Sequence, residues 1–418
     1  MDQTTNMNVD TGYLQLETVA IPGQRPIENA TVEISLTGNP DSILERFTTS
    51  ENGITERIAL KAPPLEYSME PSDNQPYSEY NIRITAEGYE EVFLSGVQIL
   101  PEVTAFQRTS PTPVTTQSQA YDPIVIPGHT LWEFYPPKIA ESEIKTTSET
   151  GEIVLSEVVI PEFVVVHDGT PSDTTASNYY VRYRDYIKNV ASCEIYATWP
   201  KATLEANILA IMSFTLNRVY TEWYRNKGYN FTITSSTAFD HKWINQKATF
   251  EEIDQIVDEI FTKYLSRPNV EQPILTQYCD GKRVTCPNWL SQWGSKYLGD
   301  QGLSSIEILK TYYGPSIYIN ETNQIAGIPL SWPGELLTIG SYGNPVRTIQ
   351  MQLNRISDNY PAIPKLTVDG IYGEATQNAV RAFQRIFNLN PSGIVDYSTW
   401  YKISEIYVAV TRIAELTS

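Results

Sequence analysis

The sequence predicts a multidomain α+β chain: an N-terminal all-β sandwich, a central mostly helical domain and a C-terminal three-helix unit. Three observations carry this. At 418 residues the chain is longer than one ordinary hydrophobic core can serve. Apolar residues alternate with polar ones up to about residue 112, then recur at helical spacing from about residue 179. Between these stretches lies a Ser/Thr/Pro/Gln run, QRTSPTPVTTQSQA, with the composition of a linker. The expected boundaries are 1–112, 113–157, 158–332 and 333–418.

In the first unit, GYLQLETVAI, ATVEISL, ITERIAL, YNIRITA, EEVFLSG and VQIL read as short strands separated by Pro- and Gly-rich turns. Asp41, Glu45, Glu51 and Glu56 read as solvated faces and turns. Residues 113–157 contain YDPIVIPGHTLWEFYPPKIAESE, apolar pieces between prolines, which suits either an ordered clamp or a plain linker. In the central unit Pro200 opens a helix whose Leu204, Ile208, Ile211, Thr215 and Val219 share a face. Thr249 and Glu252 have the spacing of a capping box ahead of a second helix, and Ser304 starts a third. Helices are expected over 346–356, 375–387 and 400–416 in the last unit, with the loop VDGIYGEAT between the first two.

Composition limits function. Asp and Glu outnumber Lys and Arg by 49 to 30, a formal charge of −19. Nucleic acid and anionic membranes are therefore not expected partners, and any polyanionic target must be held by local contacts. Three cysteines, Cys193, Cys279 and Cys286, allow one bridge at most. The three histidines have no metal-site spacing, and no cofactor is expected. The N-terminus lacks the basic and apolar regions of a signal peptide, and no run is long enough to span a bilayer.

The C-terminal pattern G-x-x-G-x-x-V-x-x-x-Q-x-x-L, then V-D-G-I-Y-G-x-x-T-x-x-A-V-x-x-F-Q, then L-N-P-S-G-I-V-D-x-x-T-W resembles the three-helix peptidoglycan-binding domain of bacterial wall hydrolases. Asp369 and Thr376 read as turn and cap residues. A ligand role is expected of the loop around Asp369 and Tyr372, where an aromatic can stack on a sugar, and of Gln384.

The central ASCEIYATWPKATLEANILAIMSFTLNRV places Glu194 in an apolar run before W-P and a long helix, and CPNWLSQWGSKYLGDQGLSSIEILKTYYG follows later. Both resemble landmarks of the stage II sporulation protein D family of lytic transglycosylases. That resemblance implies Glu194 as the catalytic acid and base. Ser291, Gln292, Trp293, Tyr278, Asp280 and Trp199 are the expected substrate-binding residues. From the residues alone, Glu194 would more simply cap the next helix or pair with Lys188.

One carboxylate suffices for such chemistry. Ordinary glycosidases need two, one to protonate the leaving oxygen and one to attack or activate water. A lytic transglycosylase uses the 6-hydroxyl of N-acetylmuramic acid as internal nucleophile and leaves a 1,6-anhydro end. Its Glu must start protonated, and the apolar flank of Val190, Ala191, Ile195 and Trp199 would favour that state. Hydrolysis through water would require a second acid such as Asp240 or Asp280.

The whole assembly resembles the spore cortex-lytic enzymes. The resemblance implies a zymogen located in the cortex and coat region of a bacterial endospore. Its target would be cortex peptidoglycan with muramic δ-lactam. A subtilisin-like germination protease would activate it near Val158 and Val159, removing the β-sandwich (1–112) and an inhibitory pro-segment (113–157). The rival reading is a non-catalytic cortex- or coat-binding protein.

Overall fold

The computed structural model describes residues 9–21, 23–114, 122–145, 157–327 and 332–411. Its N-terminal unit contains β1 (Asp10–Ala20), β2 (Arg25–Pro26), β3 (Thr31–Leu36), β4 (Asn39–Thr48), β5 (Ile58–Ala62), α1 (Glu66–Met69), β6 (Ser78–Thr85), β7 (Val92–Ile99) and β8 (Thr104–Thr109). The expected alternation is present: Leu14 and Leu16 of β1, Val32 and Ile34 of β3, and Ile82 and Ile84 of β6 are buried between two sheets.

Both sheets recruit strands from outside this unit. β9 (Ile124–Val125) pairs in parallel with β7, and Thr249–Phe250 pairs antiparallel with β8. Sheet pairing therefore crosses the borders drawn at residues 112 and 157. This also displaces the expected capping box. Thr249 is held extended by β8, so Phe250 becomes the N-cap of α4 and the Thr249 hydroxyl donates to Asp254 Oδ2 at 2.9 Å. A capping box does form at Ser304 and Glu307.

The central unit holds α2 (Tyr183–Glu194), α3 (Lys201–Tyr220), α4 (Glu251–Ile260), α5 (Gln292–Asp300) and α6 (Ser305–Tyr313). α3 is buried along nearly its whole circumference and packs against each of the other four. A helix apolar on all sides belongs in the middle of a core. The C-terminal unit comprises α7 (Asn344–Ile356), α8 (Glu374–Ile386) and α9 (Tyr397–Thr411). α9 starts earlier than expected because Asp396 Oδ1 accepts the Thr399 N–H at 2.8 Å and caps the first turn. Residues 412–416 of its expected range lie outside the described residues. Among the described residues no helix is long and apolar enough to cross a membrane.

One buried ion cluster joins the last two units. Asp258 of α4 accepts from Arg184 at 3.2 Å and Lys188 at 2.7 Å, while Arg184 also pairs with Glu405 of α9. Burial alone would raise the Asp258 carboxyl, but the two cations hold it at about 2. Phe261 packs beside Tyr397 and Tyr401 on the same seam. Asp258→Ala leaves two buried cations without this carboxylate. Chemical denaturation should show a loss of about 3–5 kcal/mol, and an unchanged midpoint would contradict this role for the cluster.

Candidate active site

Glu194 is the last residue of α2, buried at the end of a helix whose side chains are almost all inside. A helix C-terminus does not favour a carboxylate, so its oxygens need other donors. They have two. The Lys242 N–H donates to Oε1 at 2.7 Å and Gln292 Nε2 to Oε2 at 3.1 Å. Gln292 Nε2 also reaches the Glu194 carbonyl at 2.7 Å. Neither simpler role for Glu194 holds: Lys188 pairs with Asp258, and the cap of α3 is Pro200 without a side-chain bond. The two sequence landmarks thus meet, across a separation of 98 residues, in a contact with Glu194 itself.

A cavity of about 50 Å³ opens beside Glu194, bounded also by Tyr278, Asp280, Val284 and Thr237. The Tyr278 ring stacks on His241, and its hydroxyl makes no well-formed hydrogen bond. Burial first, and then the Glu194 charge, push this phenol well above its ordinary value. Asp280 Oδ1 accepts from the Lys282 and Val284 N–H groups at 2.8 and 2.9 Å, leaving Oδ2 without a partner among the described residues. Asp240, the other candidate second acid, is fully buried and accepts from Arg218, Tyr224 and Thr234. It is a structural brace.

Three expected substrate contacts have other tasks. Ser291 Oγ accepts from the Gly294 N–H at 2.9 Å and caps α5. Trp199 and Trp293 are buried against each other and Tyr196, with centroids 4.9 Å apart for the tryptophan pair. Trp199 Nε1 donates to the Ser68 carbonyl of α1 at 2.9 Å, so the N-terminal unit covers this ring. Cys279 and Cys286 form a disulfide, and Cys193 is a buried free thiol. The bridged loop turns at Gly281, where φ is +75° and a Cβ would collide with Ser291. Among the described residues no group of three or more His, Cys, Asp or Glu is placed to hold a metal.

The segment left open as clamp or linker is an ordered strap over residues 122–145. His129, Leu131, Tyr135, Pro136 and Lys138 form the remaining wall of the Glu194 cavity. His129 Nε2 lies 2.6 Å from the Cys193 carbonyl, and the Leu131 N–H donates to the Tyr196 hydroxyl at 3.0 Å. Lys138 sits over the Tyr278 ring at 4.7 Å and donates to the Asp240 carbonyl. Downstream, Glu141 takes two bonds from the buried Arg218 at 2.9 and 2.6 Å. Sequence reasoning placed His129 and Lys138 only within an inhibitory pro-segment, with no role for either side chain, and read His241 as a loop or core residue. Val158 is buried, with its carbonyl accepting from Thr322 Oγ1 at 2.6 Å, and Ile160 bridges Ile325. Val158 therefore packs with the central unit, and a protease cannot seat it without local unfolding.

The C-terminal unit corrects two more expectations. Tyr372 is not on the surface: it is fully buried, and its hydroxyl donates to the Gly393 carbonyl at 3.0 Å. Gln384 is buried too, bonded to Gly393, Ile394 and Thr399. Both brace the turn before α9. Asp369 is exposed and closes the loop by accepting from the Ile371 N–H at 2.8 Å and from Gln350 at 2.9 Å. The loop instead presents Tyr342 and Ile371, 82% and 59% exposed and joined by a backbone bridge. Residues 342–403 match the family described as "Putative peptidoglycan binding domain". Peptidoglycan is thus a fitting partner for this domain.

No curated protein matches the chain. Solved structures align over smaller parts. A minor pilin of Streptococcus agalactiae is 17% identical, over 27% of this chain and 49% of its own, with a TM-score of 0.19. Catechol 1,2-dioxygenase from Acinetobacter is 16% identical, over 30% and 61%, at 0.20. 3-Chlorocatechol 1,2-dioxygenase from Rhodococcus opacus is 15% identical, over 27% and 64%, at 0.16. At these scores they carry no argument.

Two expectations follow. His129 is pushed from 6.5 down to about 3 by burial first and then by Lys242 and Lys247, so it docks neutral. A free strap binds a proton on His129 that the docked strap does not. Docking should therefore weaken as pH falls below about 6.5, by up to about 1.4 kcal/mol per pH unit, until about pH 3. Limited proteolysis of the strap should follow this trend, and His129→Gln should flatten it. In the peptidoglycan-binding domain, Tyr342→Ala should reduce sacculus pull-down severalfold without changing the melting temperature. Tyr372→Phe should cost about 1 kcal/mol of stability with pull-down intact.

Proposed function

We propose that the protein is a peptidoglycan-cleaving lytic transglycosylase that its own N-terminal region holds inactive. The observation that carries this reading is the contact of Gln292 with the Glu194 carboxylate. It joins two motifs that resemble the stage II sporulation protein D family. In the proposed reaction, protonated Glu194 gives its proton to the glycosidic oxygen between N-acetylmuramic acid and N-acetylglucosamine. The resulting carboxylate then accepts the proton of the muramyl 6-hydroxyl as that oxygen closes on C1, which yields the 1,6-anhydro end. Gln292 and the Lys242 N–H orient the carboxyl group through both steps. The C-terminal domain keeps the enzyme on its polymer.

The strap supports the zymogen part of the proposal. A cavity of about 50 Å³ walled by His129, Leu131 and Tyr135 leaves no room for a glycan strand. Removal of the region before Val158 would open it. By resemblance to the cortex-lytic enzymes, the activating agent would be a subtilisin-like germination protease and the target cortex peptidoglycan with muramic δ-lactam. A hydrolytic muramidase is the second reading, favoured by the unpartnered Asp280 Oδ2 in the same cavity.

Mass spectrometry of cortex fragments decides between these readings. The test uses the full chain clipped at a site introduced between residues 146 and 157, with release of the N-terminal fragment checked by size-exclusion chromatography. Anhydro-muramic ends should appear with clipped wild type, fall at least about a thousandfold in Glu194→Gln, and be scarce with intact chain. Reducing ends that Asp280→Asn abolishes would establish the muramidase. Activity equal in intact and clipped chains would remove the zymogen. A folded clipped protein without any cleavage would leave a binding protein.

A further inference from the structure

The disulfide-closed loop Cys279–Cys286 carries Arg283, whose ion-pair and aromatic-ring contacts among the described residues lie in the N-terminal region. The Arg283 guanidinium lies 4.4 Å from the ring centres of both Trp132 and Phe134 in the strap. Its Nη2 donates to Asp73 Oδ1 at 2.6 Å. Its Nε is buried and has no hydrogen-bond partner among the described residues. Asp73, Trp132 and Phe134 all precede Val158. The loop members Cys279, Asp280 and Val284 line the cavity that holds Glu194, so Arg283 stands at its rim.

Arginine binds a carboxylate best through two parallel N–H donors. Here the Nε edge of the fork is half used. Asp73 takes Nη2 only, from a side chain that is 88% exposed, where an ion pair contributes little. Two aromatic ring centres lie within cation–π distance of the guanidinium. Loss of the N-terminal region would strip away the carboxylate and both rings. The same event would uncover Trp199 and Tyr196, which now bond to Ser68 and Leu131. A cation would then stand beside aromatic surface in a chain of net charge −19 that cannot attract an anionic glycan at long range.

We infer that Arg283 is a substrate-specificity residue that binds a carboxylate of the muramyl unit, and that Asp73, Trp132 and Phe134 occupy its place in the intact chain. This rests on the peptidoglycan reading of the Glu194 site, but it concerns binding and not cleavage. The carboxylate has two sources, the lactyl group of an unsubstituted muramic acid and the acids of a stem peptide. Both offer the planar acceptor that the fork fits.

Calorimetry with the clipped full chain in a Glu194→Gln background tests this without turnover. The probes are a muramyl disaccharide with a free lactyl carboxylate, the same disaccharide amidated there, and disaccharide–peptides with free or amidated acids. The acid form of one pair should bind about tenfold or more tightly than its amide, and that pair identifies the source. Arg283→Gln should erase this preference while amide binding stays, and Arg283→Lys should restore part of it. Equal affinity for acid and amide, equal loss of both in Arg283→Gln, or no binding of any probe would overturn the inference. Failure of the catalytic reading would show separately, as absence of cleavage products from clipped protein with Glu194 intact.

Discussion

A carboxylate at the buried end of a helix is the constraint on which the rest of the site depends. Glu194 gains nothing from the α2 dipole and little from solvent. Its two donors come from a loop at residue 242 and from the start of α5 at residue 292. The start of α5 thus sits against the end of α2, while Thr203 and Asn207 of α3 bond to Ser295 of α5. Asp280 shows the coupling: its carbonyl accepts the Trp293 N–H at 3.2 Å, and one oxygen of its carboxylate braces the loop. Substitution of Gln292 therefore disturbs a supported carboxyl and not a free one.

The strap is held by groups that are costly to leave alone. Arg218 is completely buried and shares its donors between Glu141 of the strap and Asp240 of the body. Gln272 and Gln277 exchange bonds with the strap backbone at residues 139, 141 and 145. A polar or charged group of this kind is costly if it stays buried without its partner. Undocking without the rest of the N-terminal region is therefore unfavourable. The strand Thr249–Phe250 in the first sheet adds a further tie between the N-terminal and central units.

The peptidoglycan-binding domain separates fold-making residues from ligand-facing ones. Its sequence pattern is built from Gln350, Gly370, Tyr372 and Gln384, and these are internal: Gln350 Oε1 accepts the Gly370 N–H, as Gln384 Oε1 accepts that of Gly393. A residue that recurs in such a pattern because it satisfies buried backbone is a poor guide to the surface that meets a polymer. Of the exposed pair Tyr342 and Ile371, Tyr342 falls at a position where the pattern allows any residue.

Much was legible in the sequence because it depended on local periodicity. The strands of the sandwich, the apolar stripe of α4 and the three C-terminal helices follow from spacing, and helix ends shifted only where a cap such as Asp396 or a neighbouring strand intervened. The resemblance of two separate motifs also singled out Glu194 and Gln292. What the sequence could not determine were contacts between segments far apart in the chain. The covering of Trp199 by Ser68, the closing of the Glu194 cavity by His129 and Lys138, the clasp of Arg283 by Asp73, and the burial of Tyr372 are all of this kind. An aromatic or charged side chain reads the same whether it faces water or a neighbour. Its environment is set by which distant backbone folds over it, and only the tertiary structure decided that.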